Sequence, residues 1–209
     1  MGLPQRVGVI TSAEYLEIER KAVFRSEFFR GEMFAMAGGS ARHSRIKTNL
    51  LSQLNNLLKG RDCVTYDGDL RIKCPTGLYT YPDASVICSG LVFEDDREDT
   101  VLNPMLIVEV LSRSTEAYDR GKKFDHYRTI PSLQEYVLVS QEEPMIQWFF
   151  RNDDNTWTMN AVSSRDQSAN LLSVGIKLSL ADVYDRIDFT PQETESSEDD
   201  RRPVPRPPS

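Results

Sequence analysis

The run Met105-Leu106-Ile107-Val108-Glu109-Val110-Leu111 places one carboxylate among apolar side chains. The run is rich in branched residues, follows Asn103-Pro104 and ends at Ser112, a pattern that predicts a buried strand. An ionised carboxylate there is costly unless it is paired, bound to a metal ion or protonated. Burial alone therefore leaves two alternatives open for Glu109: a metal ligand, or an ion pair with an arginine or lysine.

A second acid has a similar setting. Asp83 follows Pro82 and opens the short run Ala84-Ser85-Val86-Ile87-Cys88, which predicts another strand. If the two strands are neighbours, Asp83 and Glu109 can hold one hard divalent cation, with the backbone carbonyl of Val110 and water completing its shell. Such an ion can activate a water molecule and stabilise charge on a phosphoryl oxygen.

A basic helix is predicted after the Glu109 strand, from Thr115 to Arg128. Asp119, Lys123 and Tyr127 recur every four residues, so they share one helix face. An ammonium on that face could reach a phosphate or orient an attacking water. The alternative is a solvent-exposed helix with an Asp119–Lys123 ion pair, which is the commoner arrangement.

The segments before Asp83 predict two helices and two hairpins. Their signals are a capping box at Thr11-Ser12-Ala13-Glu14, a hairpin turn at Arg30-Gly31, a helix between Ser40 and Gly60, and a second hairpin at Asp67-Gly68 joining Cys63–Tyr66 to Leu70–Cys74. The acidic connection from Gly90 to Thr100 is expected to bury little and to be mobile.

The segments after Glu109 complete the fold class. A helical crossover from the Glu109 strand to the strand pattern at Gln134–Ser140 fits a parallel pair, while the hairpins supply antiparallel strands. The expected class is α/β (α+β), a mixed sheet flanked by helices in a single domain from 11 to 189. An N-terminal extension occupies 1–10, and a polar tail expected to be disordered occupies 190–209.

Composition sets limits on partners and compartment. A chain of 209 residues with 39% hydrophobic and 27% charged residues is expected to form one globular domain. No apolar run is long enough to span a membrane, so a cytoplasmic protein is expected. The net charge of −7 is the wrong sign for a broad DNA-binding face. The three cysteines lack CxxC spacing, and we expect them to be reduced core residues.

In order and spacing, these motifs resemble the PD-(D/E)XK nuclease superfamily, and more narrowly the Uma-two family of bacterial endonucleases, long catalogued as a domain of unknown function. The matching stretches are Phe29-Arg30-Gly31-Glu32, His43, Tyr81-Pro82-Asp83, Asn103-Pro104 through Ser112, Asp119 through Tyr127 and Gln134 through Val139. The resemblance implies a restriction-endonuclease-like fold, a DNA substrate and a Mg²⁺ or Mn²⁺ cofactor.

The resemblance also assigns residues. Asp83 and Glu109 correspond to the metal ligands, and Lys123 to the residue that positions the nucleophile. The signature's lysine belongs two residues after the glutamate, where this chain has Leu111, so a helical lysine is expected to replace it. Glu32 corresponds to an acid that either joins the catalytic site or is a surface acid at the hairpin edge.

Three functions follow as hypotheses. The leading one is a metal-dependent endonuclease that hydrolyses phosphodiester bonds of DNA. The second is a non-catalytic regulatory protein that keeps the nuclease fold, as the acidic charge suggests. The third is a hydrolase of small phosphate esters. Analogy with restriction-like nucleases adds a homodimer, for which the strands around Trp148 and Trp157 offer apolar area. His43 either contacts phosphate or Glu32, or is a structural histidine.

Overall fold

The protein was analysed as a computed structural model that describes residues 9–36 and 38–190. Helices and strands follow one another along the whole of this part of the chain. In chain order they are α1 (Ser12–Glu19), β1 (Ser26–Phe29), β2 (Glu32–Ala35), α2 (Ala41–Leu58), β3 (Cys63–Asp67), β4 (Arg71–Lys73), β5 (Tyr79–Thr80), β6 (Ala84–Cys88), β7 (Thr100–Val101), β8 (Leu106–Val110), α3 (Glu116–Tyr118), a π-helical turn (Asp119–Lys123), α4 (Phe124–Tyr127), β9 (Glu135–Val139), β10 (Ile146–Arg151), β11 (Trp157–Val162), β12 (Ser168–Leu171), β13 (Ile176–Ser179) and α5 (Leu180–Val183). We call α3, the π-helical turn and α4 together the 116–127 helix.

Two larger sheets and one hairpin organise these strands. The six-stranded sheet has the order β11-β10-β9-β8-β6-β3, and the five-stranded sheet has the order β2-β1-β5-β4-β7, while β12 and β13 pair with each other. In the six-stranded sheet only β8 and β9 are parallel, which confirms the predicted crossover through the 116–127 helix. The mixed α+β class and the single domain are as predicted.

Local signals in the sequence set the helix and hairpin boundaries. Thr11 caps α1 through the predicted capping box with Glu14. Arg30 and Gly31 both have positive φ, as the two-residue turn between β1 and β2 requires. The side chain of Ser40 accepts a hydrogen bond from the His43 amide and so caps α2. These predictions are confirmed.

The six-stranded sheet has apolar side chains on both faces. On one face, α2 packs Ile46, Leu50 and Leu54 onto Val108 of β8. On the other, Ile107 joins the 116–127 helix and the five-stranded sheet in a second cluster, whose members include Ile72, Leu111, Tyr127 and Tyr136. Alternation along β8 puts Glu109 on the second face, with Ile107. The carboxylate therefore lies between the two sheets.

The hairpin predicted at Asp67-Gly68 is wrong. β3 pairs with β6 in the six-stranded sheet, whereas β4 pairs with β5 and β7 in the five-stranded sheet. The turn residues are those of a hairpin, but Arg71 and Ile72 are buried in the second layer. The chain therefore uses this turn to cross from one sheet to the other.

Ion pairs join the acidic connection between Gly90 and Thr100 to the rest of the domain, a contact that its sequence did not indicate. Arg20 contacts Asp95 and Asp99 at 2.8 and 2.7 Å, and Lys73 contacts Glu94 at 2.6 Å. Arg71, 3% exposed, lies 2.9 Å from Asp99. The acids of this connection balance a buried arginine, since an unpaired buried charge is costly.

The cysteine prediction is wrong for two residues and correct for the third. Cys63 and Cys88 face each other across β3 and β6 and form a disulfide, with Cα atoms 4.0 Å apart. Cys74 is a free, buried thiol. Because the two bonded residues are far apart in the sequence, only the strand pairing reveals their contact.

Parts of the predicted organisation lie outside the described residues. The predicted N-terminal extension falls mostly within 1–8, and the predicted tail within 191–209, neither of which the structure describes. In the ranges it does describe, no helix is long and apolar enough to cross a bilayer.

The disulfide leads to a stability prediction. Because it closes a loop of 25 residues between an edge strand and β6, we expect its loss to lower the free energy of unfolding by about 3 kcal/mol. The comparison is urea unfolding of the wild type and the Cys63→Ser/Cys88→Ser variant, each with and without reductant. Reductant should destabilise the wild type and leave the variant unchanged. Equal curves for the wild type with and without reductant would contradict the disulfide.

Candidate active site

Strand pairing brings Asp83 and Glu109 together. β6 and β8 are antiparallel, with Ala84 opposite Val108. Continuing that register by one residue puts Asp83 opposite Glu109, and partners across an antiparallel pair share a face. The amide of Val110 donates a hydrogen bond to Asp83 Oδ2 at 2.9 Å, which fixes the carboxylate at the end of β8.

Asp83 is held by groups from α2 as well. His43 Nε2 lies 3.1 Å from Asp83 Oδ2, and Lys47 Nζ lies 3.7 Å from Oδ1. Burial would raise the pKa of Asp83, but the hydrogen bond and charge of His43, the Val110 amide and Lys47 keep that pKa below its ordinary value. His43 therefore contacts Asp83, and it does not contact Glu32 as one sequence hypothesis allowed.

The 116–127 helix brings the predicted lysine to Glu109. Lys123 Nζ lies 2.9 Å from Glu109 Oε1, and the Tyr127 hydroxyl donates to the same oxygen at 2.8 Å. Asp119 Oδ1 is 3.6 Å from Nζ. The predicted shared face of Asp119, Lys123 and Tyr127 is confirmed, and all three side chains are buried rather than solvated. Glu109 is thus paired with a lysine, as one of its two alternatives required.

Lys123 lies in a π-helical turn. This wider turn covers Asp119–Lys123 and interrupts an otherwise α-helical segment. Such single turns are rare and concentrate at functional sites. The sequence alone predicted a regular helix here.

The electrostatics of the Glu109–Lys123 pair follow from burial and neighbouring charges. Burial raises the pKa of Glu109 above its ordinary value, against the lowering effect of Lys123 and with a further rise from Asp119 and Asp83. Burial alone would lower the pKa of Lys123, but Glu109, Glu27 and Asp119 outweigh it and hold that pKa above its ordinary value. Lys123 is therefore an ammonium group at neutral pH.

The structure places Glu27, and not Glu32, at the site. Glu32 is exposed beside the hairpin turn, opposite Phe29, which agrees with the surface alternative. Glu27 Oε1 lies 3.2 Å from Lys123 Nζ and accepts a hydrogen bond from Thr80. The sequence around Glu27 does not single this residue out, because only the packing of the five-stranded sheet shows that this strand face is covered.

One cavity of about 580 Å³ is lined by Glu27, Asp83, Glu109, Asp119 and Lys123. Its walls come from the β1–β2 hairpin, the start of α2, the end of β8 and the 116–127 helix. A second cavity of about 770 Å³ adjoins it and shares His43, Tyr81 and Asp83. The acids Glu27, Asp83, Glu109 and Asp119 all face the first cavity.

The donor set fits a hard cation of the kind that the resemblance implies. Asp83 and Glu109 supply carboxylate oxygens to the same cavity, and oxygen ligands are what Mg²⁺ and Mn²⁺ prefer. Val110, whose carbonyl is the third member of the predicted set, also lines this cavity. Within residues 9–36 and 38–190, no three His, Cys, Asp or Glu side chains could hold a metal ion. The predicted set needs only two side chains and one carbonyl.

A basic rim around the acids is only partly formed. Lys47 lines the second cavity, but Arg45 pairs with Asp185 at 3.5 Å and Arg42 donates to the carbonyls of Gln141 and Asp188. The charge around the cavity is mixed.

Trp148, one of the aromatics considered for a dimer contact, is buried in the core.

Comparison with known proteins places the chain in a family. The sequence model of the Uma2 family, described as "Putative restriction endonuclease", matches residues 12–181. The chain belongs to the Uma2 family. That range includes Glu27, Asp83, Glu109 and Lys123, so the whole candidate site lies within the matched region. Membership supports a nuclease-like function.

The chain is similar to two curated proteins from Synechocystis sp. (strain ATCC 27184 / PCC 6803 / Kazusa). The uncharacterized protein slr1290 is 39% identical over 183 residues, which cover 86% of this chain and 94% of that protein. The uncharacterized protein sll1609 is 38% identical over 152 residues, or 72% of this chain and 86% of that protein.

A solved structure shares the fold of this Uma2 chain. The crystal structure of a putative nuclease belonging to DUF820 from Anabaena variabilis ATCC 29413 superposes with a TM-score of 0.69. The match has 20% sequence identity and covers 84% of this chain and 97% of that chain. The restriction-endonuclease-like fold predicted from the sequence is thereby confirmed.

The raised pKa of Glu109 leads to a prediction about pH. Because burial raises the pKa of Glu109 above its ordinary value of 4.5, the folded state binds the Glu109 proton more tightly than the unfolded state. Glu109 therefore contributes stability that is fully present below pH 4.5 and is lost as the pH rises through the raised pKa.

The measurement is urea unfolding of the metal-free protein between pH 5 and 9, for the wild type and Glu109→Gln. The difference in free energy of unfolding, wild type minus variant, should fall as the pH rises. Parallel curves for the two proteins would contradict a raised pKa at Glu109.

Proposed function

We propose that the protein is a metal-dependent endonuclease that hydrolyses phosphodiester bonds of DNA. The observation that carries the proposal is the meeting of Asp83, Glu109 and Lys123 in one cavity of a restriction-endonuclease-like fold. Family membership supports the nuclease class, and DNA is the substrate that the family's description favours.

In this proposal, Asp83, Glu109 and the Val110 carbonyl hold Mg²⁺ or Mn²⁺. When bound, the ion supplies an activated water and a positive charge against the phosphoryl oxygens. The chain prepares the ligands for this task. His43 and the Val110 amide keep Asp83 ionised and fixed, so it is ready to accept a cation.

Lys123 supplies a fixed positive charge beside the ligands. Its side chain is 7% exposed and remains protonated, so it cannot act as a base near neutral pH. An ammonium held there can donate a hydrogen bond to the attacking water or to a phosphate oxygen as negative charge develops. Tyr127 donates a hydrogen bond to Glu109, and Asp119 contacts the Lys123 ammonium, so both hold the helix against β8.

A non-catalytic regulatory role is the second candidate. It is favoured by the incomplete basic rim and by the acidic sequence pI of about 5.0. Against it, the site keeps a buried lysine among several buried acids, an arrangement that is costly to maintain without use. The experiments below separate the two candidates.

The cleavage prediction compares two adjacent lysines. We expect Mg²⁺- or Mn²⁺-dependent cutting of supercoiled plasmid or single-stranded DNA, and on the order of a 10²- to 10³-fold lower rate in Lys123→Ala. Lys122→Ala is the matched control, because Lys122 is the exposed neighbour on the same turn. EDTA should stop the reaction.

Two results would count against the nuclease proposal. Cutting that survives in Lys123→Ala would mean that the lysine is not part of the site. A folded wild-type protein that cuts neither substrate would transfer support to the regulatory role.

The metal prediction concerns the ligands. Calorimetric titration with Mn²⁺ should give binding to the wild type and to Lys123→Ala, and lose it in Asp83→Ala and Glu109→Ala, because each removes a carboxylate ligand. Glu32→Ala is the control, an exposed acid outside the cavity. Unchanged Mn²⁺ affinity in Glu109→Ala would refute the ligand assignment.

A further inference from the structure

Lys123 has two close carboxylate partners, and they come from different sheets. Glu109 Oε1 on β8 is 2.9 Å from Nζ, and Glu27 Oε1 on β1 is 3.2 Å from it. The ammonium group therefore lies between the six-stranded and the five-stranded sheet. The resemblance to the nuclease signature assigned no role to Glu27.

Glu27 is itself held in place at both oxygens. Thr80 on β5 donates a hydrogen bond to Oε1, and the Tyr118 hydroxyl lies 3.4 Å from Oε2. β1 pairs with β5 through Phe28 and Tyr79, which sets the strand that carries Glu27 against Thr80. With its side chain 12% exposed, Glu27 is a nearly buried and oriented carboxylate.

The location of the lysine on a helix explains why such a partner is needed. A lysine two residues after Glu109 would share its strand face and be placed by the sheet. Lys123 instead reaches the site from the helix on a flexible four-carbon stem. If Glu109 binds a cation, Glu27 at 3.2 Å is the nearest anion left to Lys123, with Asp119 farther away at 3.6 Å. Such partners matter because an unpaired buried ammonium is costly.

We propose that Glu27 is a positioning residue that anchors the Lys123 ammonium and so leaves Glu109 free to bind the cation. The role of freeing Glu109 rests on the proposed function. The contact between Glu27 and Lys123 can be tested without metal or DNA. In this proposal Glu27 acts through Lys123, whose Nζ lies 3.2 Å from Glu27 Oε1, and not as a ligand of the cation.

The first test needs neither metal nor substrate. Thermal unfolding in EDTA is measured for the wild type, Glu27→Gln, Lys123→Met and the double variant. Coupling predicts that the double variant loses less in Tm than the two single losses combined, because the substitutions remove both members of one buried pair. Additive losses in Tm would overturn the inference.

The second test uses Mn²⁺ affinity. In Glu27→Gln the ammonium keeps Glu109 at 2.9 Å and Asp119 at 3.6 Å, so it interacts more strongly with Glu109 and competes with the cation there. We therefore expect the Kd for Mn²⁺ to rise about tenfold. Glu27→Gln should have no such effect in the Lys123→Met background. Glu32→Gln, on the neighbouring exposed strand, is the control and should leave the Kd unchanged.

The outcomes separate this inference from the proposed function. A rise in Kd that persists in the Lys123→Met background would make Glu27 a metal ligand and overturn the positioning role. An unchanged Kd in Glu27→Gln would also overturn it while leaving the nuclease proposal intact. A wild type that binds no Mn²⁺ would remove the proposed function, and the Tm cycle would still decide whether Glu27 anchors Lys123.

Catalysis supplies a third measurement if the wild type cuts DNA. Loss of the anchor should lower kcat by about tenfold and change KM by less than a factor of two, because substrate binding does not use Glu27. Glu27→Asp should recover part of the lost rate, since it restores the charge. A change in KM alone would contradict a positioning role.

Discussion

The buried ammonium of Lys123 is the constraint on which the site depends. A charge that is nearly withdrawn from water must be surrounded by anions, and here they come from β8, β1 and the lysine's own helix. The two sheets and the 116–127 helix therefore meet around one charged group as well as around apolar side chains. This explains why the Glu109 face of the sheet is polar at its centre and apolar around it.

Moving the lysine from strand to helix has a structural counterpart at position 111. Leu111 is 4% exposed and joins the cluster with Ile107 and Tyr127. The strand position that would hold a lysine in the nuclease signature thus extends the core to the edge of the site. The π-helical turn gives the helix a local geometry in which Lys123 reaches Glu109 while Tyr127 contacts the same carboxylate.

The sequence predicted those parts of the molecule that depend on local pattern. Residues close together in the chain indicated four of these features: the capping box at Thr11, the turn at Arg30-Gly31, the parallel crossover and the shared helix face of Lys123. It could not predict Glu27 or the Cys63–Cys88 bond, because both depend on which strands pair and which sheet covers which face. The false hairpin at Asp67-Gly68 has the same cause: a turn motif does not specify the partner strand.

Because Lys123 contacts both sheets, the geometry of this cavity depends on the position of one sheet relative to the other. A shift of either sheet by a fraction of an ångström would change one lysine contact and not the other. Substitutions far from the cavity, at the interface between the two sheets, would then change the Lys123–Glu27 distance relative to the Lys123–Glu109 distance. In protein engineering, a substitution that stabilises the interface between the sheets would therefore also change the contacts of Lys123.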